Sequence, residues 1–383
     1  MPAANDGKLT LLITSVGSLV GQNILDVLDH PGFRRRERVR VVGTNSLAAS
    51  PNNFRCDKCY LVPKSNNDSF KEVILKVIDE EAPDLVLSGR DEDTELMVRI
   101  MEEHGGMRAK HPYGSIKTII AALNKWETWR FSQRHGLAFA ATYVVGKSGD
   151  LNGLYEFAAI HGYPLIAKPI EGFASKGVFF VRNDKEAEQL AGLPDYMFQE
   201  YLGQPDAMDE YFTKMAGPVP LFAHAPGIFH HSCHTIMSPD GRIDPVFISR
   251  NEHDSGVTVG FRKVEHEELE KLTMAFATAV LKEGGWGPMT VQFRQDRNGA
   301  WKAQEMNLRT NGNTFPRFLM GQDDLGLIVS GVLPEANFPV YHAPKENRRF
   351  IIGKSLRSDV MYPEALDSMR STGSWTADDV VLS

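Results

Sequence analysis

The first hundred residues alternate short apolar runs with amphipathic stretches, and this alternation restricts the chain more than any other feature. Leu9-Thr10-Leu11-Leu12-Ile13-Thr14 is a continuous apolar run of the kind that a strand buried on both faces requires. A turn through Ser15-Val16-Gly17-Ser18 leads into an apolar-periodic helix from Leu19 to Leu25, and Val39 to Gly43 is a second strand. Tyr60 to Pro63 reads as a short third strand, Phe70 to Glu81 as a helix and Asp84 to Ser88 as a fourth strand. Strands separated by helices pair through crossovers, so the predicted class is α/β with an N-terminal doubly wound parallel sheet.

Ligands of such sheets lie beyond the carboxyl ends of the strands. The first turn keeps Gly17 and Gly21, but Ser15 stands at the first position of the dinucleotide fingerprint. Thr44-Asn45-Ser46 fills the place of its ribose-binding acid. A dinucleotide site is therefore not expected, and the glycines serve close packing. Gly89-Arg90-Asp91-Glu92-Asp93 follows the fourth strand. Arg90 and Asp91 suit a substrate carboxylate and amine, or else the acids simply open a helix at its favourable end.

At 383 residues the chain exceeds a single ordinary domain, and two or three subdomains are expected. A net charge of −7 argues against a nucleic-acid partner. No apolar run reaches membrane-spanning length, and MPAANDGKLT lacks the apolar core of a signal peptide. Three cysteines cannot build a disulfide framework, so a cytoplasmic location is expected, without a membrane partner. Cys56 and Cys59 have the spacing of half a zinc site, yet Cys233 is the only other cysteine. On a strand, His230 and His234 share one face while His231 and Cys233 take the other, which spoils a single metal site there.

The chemistry concentrates in Gly287 to Thr314. Val291 to Arg294 alternates apolar and polar, Asp296-Arg297-Asn298-Gly299 is a turn, and Trp301 to Met306 returns. Such a hairpin sets Gln292 and Glu305 on one face, followed at period two by Asn307 and Arg309. Two amide oxygens and a carboxylate suit Mg²⁺, which takes oxygen ligands and is shared with substrate phosphates. Arg309 suits a phosphoryl or carboxylate oxygen beside that metal. Three polar residues in strict alternation, followed by Asn311-Gly312-Asn313, point to a ligand face rather than a solvated one.

A second element lies upstream. Ser115 to Gly136 reads as a helix, Ala141 to Val145 as a strand and Leu151 to His161 as a helix. Tyr163 to Pro169 is then an apolar strand carrying Lys168, which is costly to bury without an anionic partner. Glu171-Gly172-Phe173-Ala174-Ser175-Lys176-Gly177-Val178 is a small-residue loop that lets backbone N–H groups approach phosphates, with Ser175 adding a donor and Lys176 a charge. No helix follows and the GK[ST] ending is absent, so this is a hairpin lid and not a Walker loop.

The Lys168–glycine-loop pair and the Gln292…Glu305-Met-Asn307-Leu-Arg309 hairpin resemble the ATP-grasp ligases, in particular the carbamoyl-phosphate synthase large subunit and the smaller carboxylate–amine ligases. The resemblance runs from about Leu9 to Leu333 and implies the following organisation. Residues 1–112 form the Rossmann-like domain that precedes the grasp, and 113–202 the small lid subdomain. Residues 203–340 form the large subdomain with the metal hairpin, and 341–383 a C-terminal extension. It implies that Lys125, Lys168, Gly172, Ser175, Lys176 and Gly177 hold nucleotide phosphates, and that Glu200, Tyr201 and Leu202 read the base. It further implies that Asp206 or Asp209 takes the ribose, and that Gln292, Glu305 and Asn307 hold Mg²⁺ or Mn²⁺. Arg250, in a segment resembling one beside the acyl phosphate of smaller ligases, is implied as a catalytic residue with Lys168 and Arg309; a surface salt bridge is its other reading. The implied co-substrate is ATP, and the implied partners are small carboxylates and amines, amino acids foremost. A homodimer is left open. The alternatives are carboxyphosphate chemistry on bicarbonate, or a nucleotide-binding regulator without turnover. Leu308 stands where the family commonly has proline, and the ribose-acid region also departs from the pattern.

Overall fold

The computed structural model describes residues 7–145, 151–172, 177–204, 219–220, 230–254, 257–342, 344, 351–354 and 361–377. The chain opens with β1 (Leu9–Thr14), α1 (Leu19–Leu28), β2 (Val39–Asn45), β3 (Lys58–Leu61), α2 (Phe70–Glu81), β4 (Leu85–Ser88) and α3 (Asp91–Glu103). Strands β3-β2-β1-β4 form the expected parallel sheet. Alternate residues of β1 serve its two faces. Leu11 and Ile13 pack with α1 through Ile24 and Leu25, whereas Leu12 packs with α2 through Phe70, Ile74 and Ile78. Burial on both faces is why β1 reads as an unbroken apolar run. At the first turn, a Cβ on Gly17 would lie 2.3 Å from Asn45 Nδ2. Asn45 Nδ2 itself donates to Asn53 Oδ1 at 2.8 Å, so this glycine serves the close packing of the turn against β2.

Next come α4 (Ile116–Leu123), α5 (Lys125–Arg134), β5 (Thr142–Tyr143), α6 (Asn152–His161), β6 (Leu165–Pro169), β7 (Phe179–Val181), α7 (Asp184–Ala191), β8 (Tyr196–Glu200) and β9 (Val219–Pro220). The single helix expected over 115–136 is two helices. Asn124 between them is extended (φ −92°, ψ 110°), and its side chain caps α5 by accepting from Glu127 N at 3.0 Å. That break sets Lys125 at the first position of α5, where its amide donates to Ile170 O at 3.0 Å. Strands β5-β8-β6-β7-β9 form a second, antiparallel sheet.

The third sheet is antiparallel in the order β14-β13-β10-β11-β12-β15. It is built from β10 (His230–Met237), β11 (Phe247–Asp254), β12 (Val257–Lys263), β13 (Gly287–Gln295), β14 (Trp301–Asn307) and β15 (Ile351–Gly353), with α8 (Glu267–Lys282) between β12 and β13. Leu269, Phe276 and Val280 of α8 bury against Cys233, Val291 and Phe293. Gly287, at φ +98°, opens β13 where a Cβ would fall 1.8 Å from Pro112 O, so no other residue fits. The chain ends through α9 (Thr314–Leu319), α10 (Asp324–Val332), α11 (Pro363–Thr372) and β16 (Ser374–Thr376). The tail is less peripheral than the sequence suggests. β16 pairs antiparallel with β3 and closes the edge of the first sheet, with Trp375 in its core.

One buried ion pair joins the first sheet's unit to the C-terminal helices. Arg35 and Asp323 are each 1% exposed. The Arg35 fork donates to both Asp323 oxygens, which also accept from Gly326 N at 3.0 Å and Tyr341 N at 2.8 Å. Removing one partner strands a buried charge. Arg35→Ala is accordingly expected to lower stability by about 3–5 kcal/mol, read as a shifted guanidinium midpoint; an unchanged midpoint would deny the pair that role.

Candidate active site

A cavity of about 860 Å³ lies between the second and third sheets and is closed at one end by the start of α3. Its floor is the β13–β14 hairpin. The turn forms as the sequence implies: Asp296 Oδ1 accepts from Asn298 N and Ala300 N at 2.8 and 3.0 Å, and Gly299 adopts φ +83°. The pairing then sets Gln292 opposite Glu305 and Thr290 opposite Asn307. Glu305, Asn307 and Arg309 are half-buried and line the cavity, while the intervening Met306 and Leu308 enter the core. Leu308 is 3% exposed, so leucine here strengthens packing. Asn307 Nδ2 donates to Glu305 Oε1 at 3.1 Å, and Gln304 Nε2 to Gln292 Oε1 at 3.2 Å.

The opposite wall is cationic. Lys168 Nζ donates to Gln199 Oε1 at 2.8 Å and to Gln304 O at 3.3 Å, and no carboxylate pairs with it among the described residues. Burial pushes this ammonium down to about 7; Glu305 opposes the shift, while Lys125 and Arg294 add to it. Lys125 Nζ donates to Gly172 O at 2.8 Å, and burial lowers its pKa despite Glu305, Asp91 and Glu171.

Of the other residues expected here, Gly172, Glu200, Tyr201 and Leu202 line the cavity. The Glu200 carboxylate is already engaged, accepting from Ala141 N at 2.7 Å and from Lys302 Nζ at 2.8 and 2.9 Å. Gly177 stands outside the lining, with its carbonyl accepting from Tyr196 Oη at 2.8 Å. Ser175, Lys176, Asp206 and Asp209 lie outside the described residues.

One expectation is corrected and one is refined. Arg250 does not reach the cavity. It pairs with His231, whereas its neighbour Asn251 pairs with His230, and a strand turns successive side chains to opposite faces. Asn251 and His230 are the residues that line the cavity, and Arg250 shares the far face with His231. Arg309 does line it, but is not a free clamp. Its Nε and Nη2 hold Asp91 Oδ1 and Oδ2 at 2.5 and 2.9 Å, and this acid outweighs burial to raise the arginine's pKa. Asp91 also opens α3, as the helix-start reading of that acidic turn has it.

Several residues were missed. Arg294 shares the face of Gln292 at period two and lines the cavity. That spacing was present in the sequence. Lys354, after β15, also lines it, donating to Gly312 O at 2.5 Å and Asn313 Oδ1 at 3.2 Å. Burial and Arg317 push this lysine down to about 8. Nothing local announces a residue delivered from a tail. Beneath the hairpin a closed ring of polar groups holds the wall. Thr290 Oγ1 meets His234 Nδ1 at 2.8 Å and Asn311 Nδ2 at 3.0 Å. Asn311 Oδ1 accepts from Arg317 at 3.0 Å, and Arg317 grips Asp324, whose Oδ1 lies 3.2 Å from His234 Nε2.

No protein-family model matches the chain. It is 28% identical over 201 residues to the carbamoyl phosphate synthase large chain of Clavibacter michiganensis subsp. michiganensis, covering 50% of this chain and 17% of that protein. It is 26% identical over 127 residues to beta-citrylglutamate synthase B of Danio rerio, covering 32% of this chain and 30% of that one. The chain thus matches less than a third of the length of either relative. Among solved structures it is similar to an ADP complex of N5-carboxyaminoimidazole ribonucleotide synthetase, with TM-score 0.64, 16% identity and coverage of 88% and 78%. It is likewise similar to the L-amino acid ligase of Bacillus licheniformis, with TM-score 0.62, 15% identity and coverage of 88% and 78%. The fold is the ATP-grasp fold.

In a chain of this fold, a buried lysine such as Lys168 would make anion binding depend on pH. A bound phosphate favours charged Lys168, so above about pH 7 binding must recruit a proton. ADP affinity is therefore expected to fall as pH rises from 7 to 9, by up to about tenfold per unit, with proton uptake visible by calorimetry in buffers of different ionisation heat. Lys168→Met should flatten the profile. A pH-independent wild type would contradict this.

Proposed function

We propose that the chain is an ATP- and Mg²⁺-dependent carboxylate–amine ligase that forms an amide or peptide bond through an acyl phosphate, with amino-acid-like acids and amines as substrates. The observation that carries this reading is the facing of two lysines, Lys125 and Lys168, neither of them ion-paired with a carboxylate among the described residues, by the oxygen row of Gln292, Glu305 and Asn307 across one cavity. A polyphosphate satisfies the first wall, and a divalent cation the second.

The donor set fits that cation. Gln292, Glu305 and Asn307 offer hard oxygens on one ribbon face, and among the described residues no cluster of three His, Cys, Asp or Glu side chains competes for a metal. When bound, Mg²⁺ neutralises the phosphate oxygens. The protein's own groups do the rest by position and charge. Lys125 and Lys168 hold the nucleotide phosphates, and the Glu200–Leu202 segment holds the base. The substrate carboxylate attacks the γ-phosphorus, the bond to the β–γ bridging oxygen breaks, and ADP leaves. The amine then attacks the acyl carbon, and inorganic phosphate departs as the amine loses a proton. Arg309, braced by Asp91, offers its positive charge where the phosphoryl group transfers. A match of half the chain to a carbamoyl phosphate synthase large chain gives bicarbonate a place among the acids to be tested.

Glu305→Gln and Arg309→Ala are each expected to lower substrate-dependent ADP release by about a hundredfold or more, in proteins whose circular dichroism matches wild type. Full activity in either would refute the assignment. Because the row holds one carboxylate, Mg²⁺ alone should bind only at about millimolar levels and far more tightly with ATP present. Tight binding of Mg²⁺ without nucleotide, measured by calorimetry, would contradict the row as a shared site.

A further inference from the structure

Arg294 stands at the end of the cavity opposite Arg309. It lies two residues beyond Gln292 on the same face of β13, about 6–7 Å along the strand and away from Asn307. Tyr201 lies close enough to act on its charge, and Phe139, Ile166, Phe180 and Leu202 line the same cavity. Its Nε–H is enclosed and has no acceptor among the described residues. The acids nearest in the pairing do not help, because Glu200 and Asp296 are both held by Lys302, the cross-strand partner of Arg294. A half-buried guanidinium whose enclosed Nε–H has no acceptor among the described residues, in a cavity that also presents aromatic and aliphatic side chains, matches a flat ring that carries an acceptor atom.

We propose that Arg294 is a nucleotide-binding residue whose Nε–H donates to N7 of the purine base. The inference rests on the ligase reading of the cavity, in which the Glu200–Leu202 segment holds the base. Adenine and guanine both present N7 as an acceptor, so this contact recognises a purine and not its identity. The base is then read by a charged side chain of the metal ribbon as well as by the hinge segment.

Calorimetry with ADP and 7-deaza-ADP, both with Mg²⁺, tests this. Wild type is expected to bind 7-deaza-ADP about tenfold more weakly than ADP. Arg294→Met should bind ADP about tenfold more weakly than wild type and treat the two nucleotides alike. Arg294→Leu, which fills part of the space without any N–H donor, should also lose the discrimination, and decides the matter if the methionine variant melts early. The proposal is overturned if wild type binds both nucleotides equally, or if a folded variant retains either the preference or wild-type ADP affinity. If wild type binds no ADP at all, the ligase reading itself fails, and this inference falls with it.

Discussion

The structure turns on a charge problem that it creates and leaves for a ligand to solve. Among the described residues, Lys168, 8% exposed, is hydrogen-bonded only to neutral oxygens, Lys125 donates only to a carbonyl, and Arg294 holds an N–H without acceptor. Burying a cation without an anion is expensive enough to move its pKa by units, as Lys168 records. Elsewhere the fold pairs its buried charges: Arg35 has Asp323 and Arg317 has Asp324. Lys125, Lys168 and Arg294 all face one cavity, and such concentrations of perturbed groups mark functional sites.

The remaining architecture holds the opposing oxygens still. The Gln292–Glu305 rung is fixed by β13–β14 pairing, β13 is locked to β10 along seven residue pairs, and Gly287 anchors its start under Pro112. The ring of His234, Thr290, Asn311, Arg317 and Asp324 ties that ribbon to α9 and α10. Asp91 brings the first sheet's unit into the site through Arg309. Three sheets thus converge on one cavity, and displacement of any of them would move a reacting group.

Much of this was legible in the sequence because it follows local periodicity. The run Leu9–Thr14, the helix Phe70–Glu81 and the Gln292–Glu305 pairing obey patterns of one strand or helix, and all three appear where the residues imply. What could not be read depends on distant partners. Arg250 and Asn251 are adjacent, and only the register with β10 decides which faces the cavity. Asp91 and Arg309 are 218 residues apart, and nothing in either segment announces the pair. Lys354 arrives from a tail whose pattern is weak. Arg294 is different in kind: its period-two spacing was visible, but an arginine on a strand reads equally well as a solvated residue.

The central claim is that a metal-bound polyphosphate completes this cavity's charge balance. A crystal structure with Mg²⁺ and a non-hydrolysable ATP analogue tests it most directly. The account predicts density for a cation bridging the phosphates to Gln292, Glu305 and Asn307, with Lys168 Nζ on a phosphate oxygen. A nucleotide bound elsewhere, or phosphates that leave Lys168 and the ribbon without contact, would contradict it.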